Sequence, residues 1–420
     1  MKDWRQSYDI REEPFDLVEF VPSDGVDLTR EERESHLPGD FMIDTIHDGT
    51  CIPKIFMDAI QGTSHAHKRG LRKFDQSYTL ERDWGADLVA HHLASELNKT
   101  GVQCFGHHRV TVARILMDFG RFPGNTPPKA EHLHRFAINY PFSHLLGYEH
   151  KKVLLEDYYD KISAQYERVI TQRRFKIAIH TYDTYNEAGT QRPLMSIITR
   201  PIGYQTKSAM PVDFFDPMYP AVLSEYTADR RLTYRLSLML EKEGVPIAHN
   251  YPYCLPDGSI EVRSQVWFFF DYLKRCFEQE YPETIENISY KKVWRMVLDT
   301  NLRSTESENL RSYLHMFRRA PRGEEKSFED AAEAYRDIRR FMDRDDSRLV
   351  KEYRRSVQRP SSLGIEVRKD YVWEFADKAC RYPIAPKEEN AHKVARLLAK
   401  GIAIYLENDR LTYPSEFVEI

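Results

Sequence analysis

Short apolar runs, each too brief for a helix, alternate along this chain with longer stretches whose apolar residues recur every three or four positions. The runs at 41–46, 111–119, 175–180, 195–199 and 246–250 read as strands, and the stretches at 84–97, 153–169 and 224–243 carry helical spacing. Strands separated by helix-sized crossovers pair in parallel and are covered by those helices. The pattern predicts an α/β fold: a mostly parallel sheet with helices on both faces.

Beyond Gln265 the pattern becomes almost wholly helical, with a helix start signal at Ser327-Phe328-Glu329-Asp330. We expect a helical insertion over 265–358, an α/β domain built from 41–264 and 359–420, and a polar, turn-rich arm over 1–40. The end of the insertion interleaves Arg336, Arg339 and Arg340 with Asp337 and Asp343, the signature of a solvated, salt-bridged helix face. Strand character returns at 363–367, and a helix is expected over 394–406. The run Ser259-Ile260-Glu261-Val262-Arg263 is echoed at 363–368, and both copies read as strand.

Composition narrows the function. With 61 basic and 65 acidic residues, a net charge of -4 gives no electrostatic reason to bind nucleic acid. No segment approaches the ~18 apolar residues of a membrane span, and the charged, aromatic first sixteen residues lack the apolar core of a secretory signal, so the cytoplasm is the expected compartment. Five scattered cysteines with no C-x-x-C pair argue against a disulfide framework or a thiolate zinc cluster. Three histidine clusters stand out, His65/His67, His91/His92 and His107/His108, but adjacent histidines point different ways and are usually surface residues.

The informative polar residues follow the strands, because open α/β sheets place ligand sites at the carboxyl ends of their strands. His47 and Asp48 come just after the first run, and His180 ends a later one. Two such histidines can converge on one ion, and neutral imidazole with a carboxylate suits zinc. A carboxylate is available from Asp83 or Glu81, at the start of the helix after the first strand, where the helix N-terminus also favours an acidic side chain. Arg114 and Arg121 flank Asp118 and could grip a carboxylate bidentately, with Asp118 fixing one of them.

Taken in order, H-D-G-T-C-I-P at 47–53, E-R-D-W-G-A-D-L at 81–88, R-I-L-M-D-F-G-R at 114–121, the strand-end H-T at 180–181 and G-I-E-V-R-K-D at 364–370 resemble the N-formylglutamate amidohydrolases, relatives of the zinc carboxypeptidases and aspartoacylases. The resemblance spans about residues 41 to 400, interrupted by the helical insertion. It implies a phosphorylase/hydrolase-like fold holding one zinc (Zn2+) and cleaving an amide of an acidic amino acid, a small-molecule substrate. Carried over residue by residue, it makes His47, Asp83 and His180 the metal ligands and Arg114 and Arg121 the substrate-binding arginines. Ile46 and Asp48 replace the family's proline and serine around His47, and Ala113 and Gly120 replace a serine and an asparagine around the arginines. The E-V-R element occurs twice, which leaves Glu366 and Glu261 as candidates for the catalytic base. Glu366 is favoured, because it follows a buried-looking strand and precedes the last helix, where the family places its carboxylate.

Three functions compete on this basis: a zinc-dependent amidohydrolase of N-acyl acidic amino acids, a carboxypeptidase-like hydrolase of larger peptides with the insertion as a wall, and an inactive family-fold binding or scaffold protein. Metal content separates the third from the others.

Overall fold

A computed structural model describes residues 8–28, 41–61, 67–120, 138–140, 142–207, 215–300, 304–315, 318–344, 348–356 and 359–410, the side chains of 61, 67–73, 207, 409 and 410 aside. Its frame is one seven-stranded sheet. In chain order the strands are β1 (Val18–Pro22), β2 (Phe41–Thr45), β3 (Gly106–Val110), β4 (Phe175–Tyr182), β5 (Met195–Ile198), β6 (Ile247–His249) and β7 (Ser361–Arg368). Their spatial order is β1-β3-β2-β4-β7-β5-β6. The central four, β3-β2-β4-β7, are mutually parallel. At one edge β1 runs antiparallel to β3, and at the other β5 runs antiparallel to β7 with β6 parallel to it. The result is the mixed, mostly parallel α/β sheet expected from the alternation of runs.

Helices cover both faces. Odd-numbered strand residues such as Ile43, Ile177, Ile179 and Ile365 pack against Val89 and Leu93 of α1 (Ala86–Lys99), and against Leu236 of α3 (Arg230–Lys242) and Leu398 of α5 (Glu388–Ile404). On the opposite face Met42 joins Tyr158 and, from α2 (Asp160–Ile170), Ile162 and Tyr166. The two-residue period of a strand sends alternate side chains to these two cores. Polar even-numbered residues share the second face and carry the chemistry below.

A third apolar cluster joins Ile198 of β5 and Phe215, Tyr219 and Leu223 to the helices from residue 260 onward. Phe269, Phe270 and Leu273 of α4 (Ile260–Glu280) meet Trp294, Ile338 and Tyr353 there. At 21 residues, α4 is about 30 Å long, enough to run from the sheet into this third core.

Two strand expectations fail. The run 111–119 is not a strand: the regular strand is β3, just before it, and the run itself shows only isolated β-bridges, at Val112 and Met117. Val112, Ala113, Ile115, Leu116 and Met117 are apolar because their irregular backbone is buried, a case that a short apolar run cannot distinguish from a strand. The segment 259–263 is also helical. Ser259 is the N-cap of α4, its hydroxyl accepting the Val262 N–H at 3.4 Å, so Glu261 sits in a first helical turn, not on a strand. Ahead of residue 41 the chain supplies β1 and a short strand, Asp9–Arg11, parallel to Cys51–Pro53. No helix of the described residues is long and apolar enough to cross a membrane.

Candidate metal centre

Three local constraints build the site at the carboxyl end of β2 and β4. After β2 the chain must pass tightly under β3: a Cβ on Gly49 would lie 2.4–2.7 Å from the carbonyl oxygens of Val110, Thr111 and Val112, so only glycine allows the passage. Asp48, one residue earlier, accepts from Arg82 Nε at 2.6 Å and from the Asp87 N–H at 2.9 Å, which ties the end of β2 to the start of α1. The Asp83 N–H then donates to the His47 carbonyl at 3.1 Å, and Gly85 turns the chain into α1 with φ 87°. These bonds bring His47 and Asp83 together from opposite ends of a helical excursion.

His180 comes from β4 on the same face. Its Nδ1 lies 3.0 Å from Asp83 Oδ2, and His47 Nδ1 lies 3.5 Å from the same oxygen. Donor atoms of His47, Asp83 and His180 all fall within 4.8 Å of one another, close enough for one ion. His47 is held from behind, with Nε2 2.8 Å from Asp118 Oδ1. A carboxylate on that nitrogen keeps the proton there and leaves Nδ1 facing Asp83, the arrangement that orients metal-binding histidines. Arg114 bridges the two carboxylates, donating from Nη1 to Asp83 Oδ1 at 3.0 Å and from Nη2 to Asp118 Oδ2 at 3.1 Å. Asn139 in turn donates from Nδ2 to the Arg114 carbonyl at 2.7 Å.

Glu366 completes the group. On β7 it is the register partner of His180 on one side and of Ser196 on the other, so the three side chains form a row on one face of the sheet. Glu366 Oε2 is buried and has no hydrogen-bond partner among the described residues. Burial raises its pKa, with His180 and Arg114 opposing and Asp83 reinforcing the rise. Burial would also lower the His180 pKa, but the Asp83 bond and the Glu366 charge take it up to about 9. Asp83 moves the other way, well below the usual carboxylate range: burial disfavours its charge, yet Arg114, His180 and His47 outweigh that. Two imidazoles and an ionised carboxylate, with a further buried carboxylate oxygen beside them, are a donor set that suits a divalent cation.

Of the residues singled out in the sequence, His47, Asp83, His180, Arg114 and Glu366 are thus adjacent. Glu81, the alternative acidic ligand, turns instead toward Arg114 Nε at 3.7 Å. Glu261, the alternative base, lies deeper, bonded to Lys176 Nζ, which also donates to Asp44 Oδ1 at 2.9 Å. Arg121 lies outside the described residues, as does His65. Of the other clustered histidines, His91 bonds Asp24, His92 bonds Glu388 and His107 bonds Asp87, at 2.8–3.0 Å, and the His91 ring lies against those of His92 and His107. Sequence reading missed the Asp44–Lys176–Glu261 network and the His47–Asp118 bond. A lysine inside the apolar run F-K-I-A-I-H was the signal for the first.

No protein-family model matches the chain, and no curated protein matches it. Among solved structures it is similar to N-formylglutamate amidohydrolase from Ralstonia eutropha JMP134, at 13% identity and a TM-score of 0.44, covering 93% of this chain and 98% of that one. It is also similar to a gene product of Agrobacterium tumefaciens, at 14% identity and a TM-score of 0.36, covering 88% and 92% respectively.

Proposed function

We propose that this chain is a zinc-dependent amidohydrolase that cleaves the amide bond of a small N-acyl acidic amino acid. The observation that carries the reading is the convergence of His47, Asp83 and His180 beside a buried Glu366 oxygen that has no hydrogen-bond partner among the described residues. The ordered motifs shared with the N-formylglutamate amidohydrolases support the substrate class.

Zinc held by such a set supplies Lewis acidity toward a carbonyl and lowers the pKa of water toward ~7. The chain's own residues do the rest. Glu366 takes a proton from the attacking water and delivers it to the nitrogen of the leaving amine as the C–N bond breaks. Asp118 keeps the His47 tautomer fixed, and Arg114 holds Asp83 and Asp118 in register, so its guanidinium serves positioning. Arg121 remains the substrate-binding arginine carried over by the resemblance.

Zinc-loaded protein should release glutamate from N-formyl-L-glutamate, lose that activity to a chelator and regain it with added zinc. Zinc-loaded, folded protein that leaves N-formyl and N-acetyl acidic amino acids intact contradicts the reading. Cleavage of peptides instead would favour the carboxypeptidase-like alternative.

A further inference from the structure

Beyond His180 the strand β4 continues to Tyr182, whose side chain shares the face of His180 and stands about 7 Å further along the strand. The chain then makes a tight hairpin, with Tyr185 bridged to Gln191 and Gly189 at its tip with φ 75°. Arg192 closes that hairpin. Its N–H donates to the Thr184 carbonyl at 2.9 Å, and its own carbonyl accepts from Arg368 Nη1 at 3.3 Å. The neighbouring Pro193 carbonyl accepts the Tyr182 hydroxyl at 2.7 Å. The backbone of Arg192 is therefore fixed relative to β4 and β7, the strands that carry His180 and Glu366.

From this anchor the Arg192 guanidinium lies between two aromatic rings, 5.6 Å from the centroid of Tyr182 and 5.2 Å from that of Tyr253. Tyr253 belongs to the loop after β6, which turns back across the site face of β5. There the Tyr251 N–H lies 3.4 Å from Ser196 Oγ, the side chain next in the row to Glu366. Asn250 locks the loop by accepting the N–H groups of Thr199 and Arg200 at 2.8 and 2.9 Å. Tyr182 is two residues beyond His180 on the same face of β4, so the guanidinium over its ring lies beside the strand end that carries His180.

Among the described residues no carboxylate pairs with this guanidinium, and its buried Nε has no hydrogen-bond partner. Arg114 Nε is likewise without a hydrogen bond, but Asp83 and Asp118 occupy its two Nη atoms. An arginine whose buried donor is unsatisfied and whose planar face is clamped is prepared for a bidentate carboxylate. We propose that Arg192, held between Tyr182 and Tyr253, binds a carboxylate of the substrate and so makes the site selective for acidic N-acyl amino acids.

This inference rests on the amidohydrolase reading, and its test separates the two. The measurement is kcat/KM of zinc-loaded protein for N-formyl-L-glutamate, for N-formyl-L-glutamine and for the α-amide, N-formyl-L-isoglutamine. The expected result is that Arg192→Ala reduces the preference for the diacid over one of the two monoamides at least tenfold, and the monoamide affected identifies which carboxylate Arg192 holds. Tyr253→Leu, at a half-exposed position that folding tolerates, should move the same ratio in the same direction by a smaller factor. Unchanged ratios in both variants overturn the role of Arg192 while leaving the hydrolase reading intact. If the wild-type protein hydrolyses none of the three, the hydrolase reading fails and calorimetric titration with N-formyl-L-glutamate decides the Arg192 site alone. Binding to wild type that weakens at least tenfold in Arg192→Ala supports it; equal binding, or none to wild type, overturns it.

Discussion

His180 and Glu366 are register partners on adjacent parallel strands, one beside Asp83 and the other with a buried oxygen that has no hydrogen-bond partner among the described residues. Because Glu366, the proposed base, is on the strand next to that of His180, its position is set by backbone pairing and not by a flexible loop. Glu366→Gln keeps the shape of the side chain and removes its capacity to take a proton. We expect turnover to fall by about 10²–10⁴-fold while zinc stays bound. An active Glu366→Gln protein alongside a dead Glu261→Gln protein would transfer the role to the other E-V-R element.

Asp118 touches His47 through the nitrogen that faces away from Asp83. Replacing it with asparagine weakens the support of one ligand without removing any ligand. Zinc affinity, measured by competition with a chromophoric chelator, should fall by about 10–100-fold in Asp118→Asn. Unaltered affinity would mean that the bond does not orient His47 for the metal.

Lys176 is fully buried between Asp44 and Glu261, one cation against two carboxylates. Burial alone would raise the Glu261 pKa, but the ammonium beside it outweighs that and takes it to about 2. A carboxylate with a depressed pKa stabilises the fold above its unfolded value, and that contribution is lost as the pH falls toward 2. Asp44 is raised by burial despite Lys176, so it opposes this trend by favouring its protonated form. Lys176→Met strands the carboxylates, and we expect a loss of about 3–5 kcal/mol in denaturant unfolding at neutral pH. Adding Glu261→Gln should recover part of that loss; no recovery would show that Lys176 stabilises by packing alone.

Much of the architecture was legible because strand and helix periods differ, and because ligand sites follow strand ends. His47 and His180 were singled out by that rule, Asp83 by its place before a helix, and Glu366 by the family resemblance. The His47–Asp118 bond was not legible, since it joins residues 71 apart through a stretch, 111–120, whose buried apolar side chains imitate a strand. Glu261 and Glu366 share the letters E-V-R, yet Ser259 caps a helix over one copy while strand pairing claims the other. Local sequence could not separate them, because the difference lies in what each segment packs against. Arg192 carried no motif at all; its clamp is made by Tyr253, 61 positions away, through tertiary packing.

The metal itself is the most direct test. Protein purified without chelators should carry close to one equivalent of zinc by elemental analysis, and His47→Ala, Asp83→Ala and His180→Ala should each lose most of it while remaining folded. Full zinc retention in both His47→Ala and His180→Ala, or folded wild-type protein that takes up no zinc when it is supplied, would contradict a metal centre at these residues.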